Sequence, residues 1–346
     1  MASIDVTVRG AGIFGLSIAW ACARAGAAVR VVDPYGPGAG SSGGIVGALA
    51  PHVPENWNPK KAFQLESLLM AEAFWAEVEA VGGVSPDYAR SGRLQPVADD
   101  KGLALARGRA VTARDLWGEA AVWEVIGAEA AGPFAPQTPT GWLIRDTLSA
   151  RMSPRRASAA LVAALSAMGV EVVREAEDAG QVLWATGWQG LLALSEALGK
   201  PVGAGVKGQS ALLRFDAGDA PQVFAGGLHI VPHHDGTVAI GSTSERDFDD
   251  PSSCDDQCEA LVERAVAAMP VLHGAEVVER WAGVRPRAKS RAPMLGGWPG
   301  REGHFIANGG FKIGFGMAPK VAEVMADLLL EGRDAIPKGF RVEDNL

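Results

Sequence analysis

Cysteine is scarce: three residues in a chain of 346, too few for a disulfide framework at this size. Cys254 and Cys258 stand four apart, a helical spacing, with no second ligand pair nearby. They read as structural thiols and not as a metal site. Tyrosine is scarcer still, with only Tyr35 and Tyr88. No apolar run reaches the ~18 residues of a membrane-spanning helix. The N-terminal Met1 to Asp5 lacks the basic-then-apolar order of a signal peptide, so a cytoplasmic location is expected. A basic excess is also missing. Lys and Arg total 32 against 40 Asp and Glu, a net charge of −8, which argues against nucleic acid as a partner. The hydrophobic fraction of 48% and charged fraction of 21% are ordinary for globular chains and exclude disorder. At roughly 150 residues per domain, the length suggests about two domains.

Glycine is what the chain has in excess, 44 residues without a collagen period. Such glycines mark tight turns and close approach of backbone to a ligand. The first cluster is the most informative. Val6-Thr7-Val8 is short and β-branched, as a buried parallel strand should be. Gly10-Ala11-Gly12-Ile13-Phe14-Gly15 follows, then a helix-forming stretch from Leu16 to Ala25, then the β-branched Val29 to Val32 closed by Asp33. In this strand–helix–strand frame Gly10 permits the turn, Gly12 lets a pyrophosphate approach, and Gly15 lets helix and strand pack. The helix start, with Ile13 and Phe14, offers unpaired N–H groups to phosphates. Asp33, with Pro34 after it, is placed to accept from an adenosine ribose. A dinucleotide site is expected, although the motif alone does not separate NAD from FAD. Arg9 is out of character at the end of a buried strand.

The segment after Asp33 decides between the two cofactors. A nicotinamide enzyme normally enters a second helix here, whereas residues 36–51 form a second glycine- and serine-rich stretch able to wrap a longer cofactor. With Gly40-Ser41-Ser42 and then Gly47-Ala48-Leu49, the chain resembles the D-amino-acid oxidase family of FAD enzymes, especially its glycine oxidase and sarcosine oxidase-like members. The resemblance continues in family order. Val182 to Gly187, with Ala185-Thr186-Gly187, is similar to the second FAD strand and its turn. Lys207-Gly208-Gln209 is similar to an Arg-Gly-Gln that opens a substrate-domain strand. Trp281 to Pro286 is similar to a Trp-Ala-Gly-Leu-Arg-Pro segment whose arginine holds the substrate carboxylate. Gly309 to Gly314, followed by Phe315 and Ala318-Pro319, is similar to the C-terminal flavin loop and helix.

The resemblance implies an α/β (α+β) fold, with a Rossmann-type FAD-binding domain and a discontinuous, mostly antiparallel substrate domain. The FAD domain is expected at 1–85, 141–200 and 280–346, and the substrate domain at 86–140 and 201–279. Within the latter, Val223 to Pro232 and Thr237 to Ser242, joined by Asp235-Gly236, read as a hairpin. Helices are expected over Ala157 to Met168 and Val321 to Leu330. FAD contacts are expected from the first motif, from Asp33, Pro34, Ser41 and Ser42, and from Gly47, Ala48 and Leu49 beneath the flavin. Further contacts are expected from Val173 at the adenine, from Ala185, Thr186 and Gly187, and from Gly310, Phe311, Ile313, Gly314 and Phe315.

The chain also departs from the family. The span from Gly169 to Ala185 is much shorter than the usual thirty or so residues. The tyrosine that helps hold substrate in glycine oxidase has no equivalent, and His229 occupies the corresponding hairpin position. Lys312 stands where glycine oxidase has an arginine. No cysteine lies near Gly309 to Ala318 or beside Arg285, so FAD is expected to be non-covalent. Arg285 is the expected carboxylate partner, which its planar guanidinium suits. His229, His52 and Lys312 are the remaining substrate candidates, with Lys312 also able to stabilise the reduced flavin. Trp57 and Trp281 are candidate pocket walls. The expected activity is oxidation of the C–N bond of an amino acid or small carboxylated amine to an imine, by hydride transfer to flavin N5, with oxygen or a quinone taking the electrons. The alternatives are a tRNA-modifying oxidase acting on a carboxymethylaminomethyl group, against which the net charge weighs, and a non-catalytic flavoprotein.

Overall fold

Val6, Val8, Val31 and Leu183 are fully buried, and these residues from three separated segments belong to a parallel ladder. The strands Val6–Arg9, Val29–Val32 and Gln181–Trp184 pair in register, Val6 opposite both Val29 and Gln181. In this computed structural model, which describes residues 3–346, they belong to a six-stranded sheet. Its order is Met294–Gly297, His304–Asn308, Gln181–Trp184, Val6–Arg9, Val29–Val32, Val172–Val173. Only the first of these strands runs antiparallel to its neighbour. The helices Ile13–Arg24, Pro59–Gly82, Pro154–Ala167 and Gly314–Glu331 pack together against it through Leu16, Trp20, Trp75, Leu161 and Val321. The fold is mixed α/β with a Rossmann-type half, as the resemblance implied.

A second, eight-stranded sheet is built almost wholly from antiparallel neighbours. Its spine is the pair of long strands Gly203–Arg214 and Val277–Ala288. Trp142–Asp146 also lies in this sheet, paired with both Arg93–Pro96 and Trp123–Gly127. Two strands expected in the FAD domain, at 142–146 and at 280–288, have their ladder partners in this eight-stranded sheet. Motifs mark where a chain approaches a cofactor, not where its strands find partners. The expected run from Val223 to Pro232 is two strands, broken by Gly226 and Gly227 at φ +57° and +78°. Such left-handed pairs form tight hairpin turns.

The short span before Ala185 accounts for Arg9. After Val172–Val173 the chain crosses the sheet, where Ala179 O accepts from Thr7 Oγ1 at 2.7 Å. Arg9 reaches the same loop, pairing with Asp178 at 2.6 Å and donating to Ala176 O at 2.8 Å. Its guanidinium lies over the Trp184 ring, 5.9 Å from the centroid. An arginine closes the strand because an acidic loop covers that face.

Candidate active site

The glycine-rich turn is shaped by contacts that no side chain would survive. Gly10 has φ +106°, and a Cβ there would overlap the carbonyl of Ala185. The turn is thus pressed against Ala185-Thr186. A Cβ on Gly15 would strike the Gly10 carbonyl, which is the packing role its spacing implied. The helix from Ile13 has no side-chain cap at Gly12; instead Ile13 N donates to Ser42 Oγ at 2.9 Å, fastening the serine-rich loop to the helix start. Asp33 accepts from Ala11 N at 2.7 Å and from Tyr35 N at 2.9 Å, which orients its carboxylate beside the turn.

Between the two sheets lies a cavity of about 1040 Å³, at the upper end for one ligand of drug size. Its walls include Gly10, Gly12, Ile13, Phe14, Asp33, Pro34, Ser41, Ser42, Gly47 and Ala48, together with Ala185, Thr186 and Gly187. Gly310, Phe311, Gly314 and Phe315 close it from the C-terminal segment, and Arg285, His229 and Lys312 line it as well. Gly47 belongs there for a steric reason: a Cβ would overlap the Met152 carbonyl. These glycine-lined walls fit a long cofactor approached by backbone.

Some expected residues are not in the wall. His52 packs away from it, its N–H donating to Gln64 Oε1 at 2.7 Å and its Nδ1 against the same oxygen. Burial lowers its pKa. Val173 is held in the ladder beside Val32, and its carbonyl accepts from Asp33 N at 2.9 Å, so it positions Asp33 from behind. Leu49 is 1% exposed, with its carbonyl accepting from Gln222. Ile313 sits at the helix N-cap, its N–H donating to Gly310 O at 2.9 Å. Trp57 packs on the core, whereas Trp281 does line the cavity.

The remaining wall carries the charge. Arg285 donates from Nη2 to Thr243 O at 2.9 Å, while its buried Nη1 has no partner among the described residues. Its side chain lies across Gly208, where a Cβ would collide with Nη2. Burial depresses its pKa from 12.5 to about 10, and the nearby Glu245 charge acts the other way. Phe311 holds a left-handed φ of +45°, uncommon for a bulky residue, with its N–H on Pro286 O at 2.9 Å. Arg285 and Lys312 each lie 5.8 Å from the centre of its ring. Burial and the Arg285 charge lower the pKa of Lys312. The ring centres of His229 and Phe224 lie 4.8 Å apart, and His229 Nδ1 has no partner among the described residues. Burial, reinforced by Arg93 and Lys312, pushes the His229 pKa down to about 3, so it is neutral near pH 7. Neither Arg285 nor Lys312 has a carboxylate within ion-pair distance among the described residues. Thr243 was not singled out from sequence; it lies just beyond the strand Thr237–Gly241, is held by hydrogen bonds with Gln209 and carries no local signal.

The family model described as FAD dependent oxidoreductase matches residues 5–328. The chain belongs to the FAD-dependent oxidoreductase family. FAD is its cofactor, in keeping with the glycine-lined wall. Among similar proteins, glycine oxidase from Pseudomonas putida is 28% identical over 94% of both chains, and glycine oxidase from Pseudomonas aeruginosa 29% over 96% of both. The solved glycine oxidase of Geobacillus kaustophilus superposes with a TM-score of 0.84 at 23% identity, covering 98% of each chain. Iminodiacetate oxidase from Chelativorans sp. BNC1 gives the same score at 21% identity, covering 97% of this chain and 98% of that one. No helix among the described residues of this FAD-dependent oxidoreductase is long and apolar enough to cross a membrane.

Proposed function

We propose that this FAD-dependent oxidoreductase oxidises the C–N bond of an amino acid, or a small carboxylated amine, to an imine. The observation that carries the reading is the free Nη1 of Arg285, a buried cationic donor in the cavity wall with no carboxylate of its own. A buried guanidinium arm gains most from a bidentate or charge-assisted anion. The substrate carboxylate supplies one. The glycine oxidase relatives, which the chain matches over nearly its whole length, agree with an amino acid of modest size.

The bound FAD accepts the two electrons of the oxidation. The protein's own work is orientation and charge. Arg285 fixes the carboxylate end, and the loop Gly310 to Lys312 together with Ala48 would hold the flavin end of the cofactor. Ser41, Ser42 and the helix start would hold its phosphates, and Asp33 its ribose. Arg285 and Lys312 also act on the substrate amine. Two positive charges nearby disfavour an ammonium and lower its pKa, which favours the neutral amine whose lone pair assists oxidation. Neutral His229 forms part of the wall without adding charge. Among the described residues, no acidic side chain lines this half of the cavity. The test is an anaerobic screen of amino acids and N-methyl amino acids for bleaching of the bound flavin. Bleaching by carboxylated amines, and weaker bleaching by their decarboxylated counterparts, is the expected result. Indifference to every amine would overturn the reading.

A further inference from the structure

Behind Arg285, on the strand face turned away from the cavity, lies a buried polar cluster that the reaction itself does not use. Gln209 and Lys207 are 0% and 3% exposed. Both flank Gly208 on the long strand, so their side chains point to the face opposite Arg285. Gln209 Nε2 donates to Glu245 at 3.2 Å and to Asp255 Oδ1 at 2.8 Å, and Gln209 Oε1 accepts from Asp255 N at 2.9 Å. Glu245 also accepts from Thr243 Oγ1 and lies 3.8 Å from Lys207 Nζ. The backbone follows the same pattern. Lys207 and Glu245 exchange both N–H···O bonds at 2.9 Å, and Gln209 N donates to Thr243 Oγ1 at 2.8 Å. Apart from the bonds that tie Gln209 to Asp255, the contacts of Lys207 and Gln209 described here meet at residues 243–245, and the Thr243 carbonyl there takes Arg285 Nη2.

We propose that Gln209 and Glu245 are positioning residues of the substrate site, clamping the Thr243–Glu245 segment so that its carbonyl anchors one arm of Arg285 and leaves the other free for the substrate carboxylate. The inference rests on the assignment of Arg285 as the carboxylate partner. It gives the Lys207-Gly208-Gln209 motif a single purpose. Gly208 leaves room for the guanidinium on one face, Gln209 grips the loop on the other, and Lys207 balances Glu245. A buried carboxylate is costly without such partners, so the cluster holds the loop tightly or not at all.

The experiment uses the holoenzyme with Glu245→Gln and Gln209→Met, beside Arg285→Ala. Four quantities are read: flavin content, Tm, the Kd of acetate from its perturbation of the flavin spectrum, and KM and kcat for an amino acid and its decarboxylated amine. Both clamp variants are expected to weaken acetate binding and raise the amino-acid KM about ten-fold, the effect of one charge-assisted hydrogen bond. The amine KM and flavin content should stay near the parent values. If Arg285→Ala abolishes acetate binding but neither clamp variant changes it, the clamp is refuted while Arg285 keeps its role. If Arg285→Ala leaves acetate binding intact, the assignment of Arg285 itself fails. A lowered Tm with equal kinetic losses for amino acid and amine would reduce the cluster to a fold element and also refute the inference. Should Gln209→Met not fold, Glu245→Gln, at a less enclosed position, decides alone.

Discussion

Replacing Arg285 separates substrate binding from cofactor binding, and the structure bounds the size of the effect. The guanidinium has one arm on Thr243 O and one arm without a partner. Its pKa is lowered from 12.5 to about 10 by burial, which corresponds to roughly 3 kcal/mol of desolvation that a bound carboxylate can offset. Mutational losses for buried charge pairs fall around the same value, about 2–5 kcal/mol, or roughly 30- to several-thousand-fold in affinity. Arg285→Ala should therefore raise the amino-acid KM within that range. Arg285→Lys should also fail in large part, because a lysine ammonium cannot serve Thr243 O and a carboxylate in the flat geometry the Gly208 gap allows. Flavin content should not change. The decarboxylated amine, which has nothing for Arg285 to bind, is the internal control. Steady-state kinetics on both compounds with each variant decide the matter. Equal losses for the two compounds would refute the assignment and make Arg285 a support for fold or flavin.

Four further outcomes are expected. Gly208→Ala should fold with its FAD and still show a selective rise of about ten-fold or more in the amino-acid KM, since the added methyl displaces only the end of the Arg285 side chain; unchanged kinetics would show that the guanidinium does not need that gap. Asp33→Ala should loosen FAD by roughly 1.5–3 kcal/mol, read by recovery of flavin fluorescence on dilution, and an unaltered affinity would limit Asp33 to tying the turn through Ala11. Acid precipitation should release all flavin into the supernatant, as no cysteine among the described residues lines the cavity; yellow colour kept by the denatured chain would contradict this. Lys312→Met removes one of two charges that depress the substrate amine, so the amine pKa in the complex should rise. The alkaline-going limb of kcat should then move to higher pH by on the order of one unit, and a limb that stays in place would remove Lys312 from the amine's surroundings.

The parts of the site legible in sequence are those whose geometry is local. Gly10, Gly12 and Gly15 fall within six residues: Gly15 is required by the Gly10 carbonyl and Gly10 by its own φ of +106°, although the Ala185 carbonyl that presses on Gly10 comes from far along the chain. The strand, the helix and Asp33 follow the same logic, so the frame could be read before any tertiary contact was known. Arg285 was legible for a different reason, the resemblance of its whole segment to a known one. His52 shows the limit of proximity in sequence. It closely follows Gly47 and Ala48, which line the cavity, yet Gln64, reaching across from a helix that begins at Pro59, turns it into a packed residue.

What remained hidden is the second side of each functional side chain. An arginine with five donors can hold a carboxylate precisely only if some donors are already committed, and the acceptor that commits them is a carbonyl, Thr243 O, to which sequence gives no character. The residues that fix that carbonyl, Gln209 and Glu245, are 36 apart in the chain and meet because Gly203–Arg214 and Thr237–Gly241 pair side by side. Arg9 follows the same rule. Its partner Asp178 is 169 residues distant and is brought over the sheet by a loop whose shortness looked like a loss. In both cases the orientation of an arginine is explained by a distant segment that crosses beside its strand. The chemistry-bearing residue was visible locally, and the residues that aim it were visible only once the sheets were assembled.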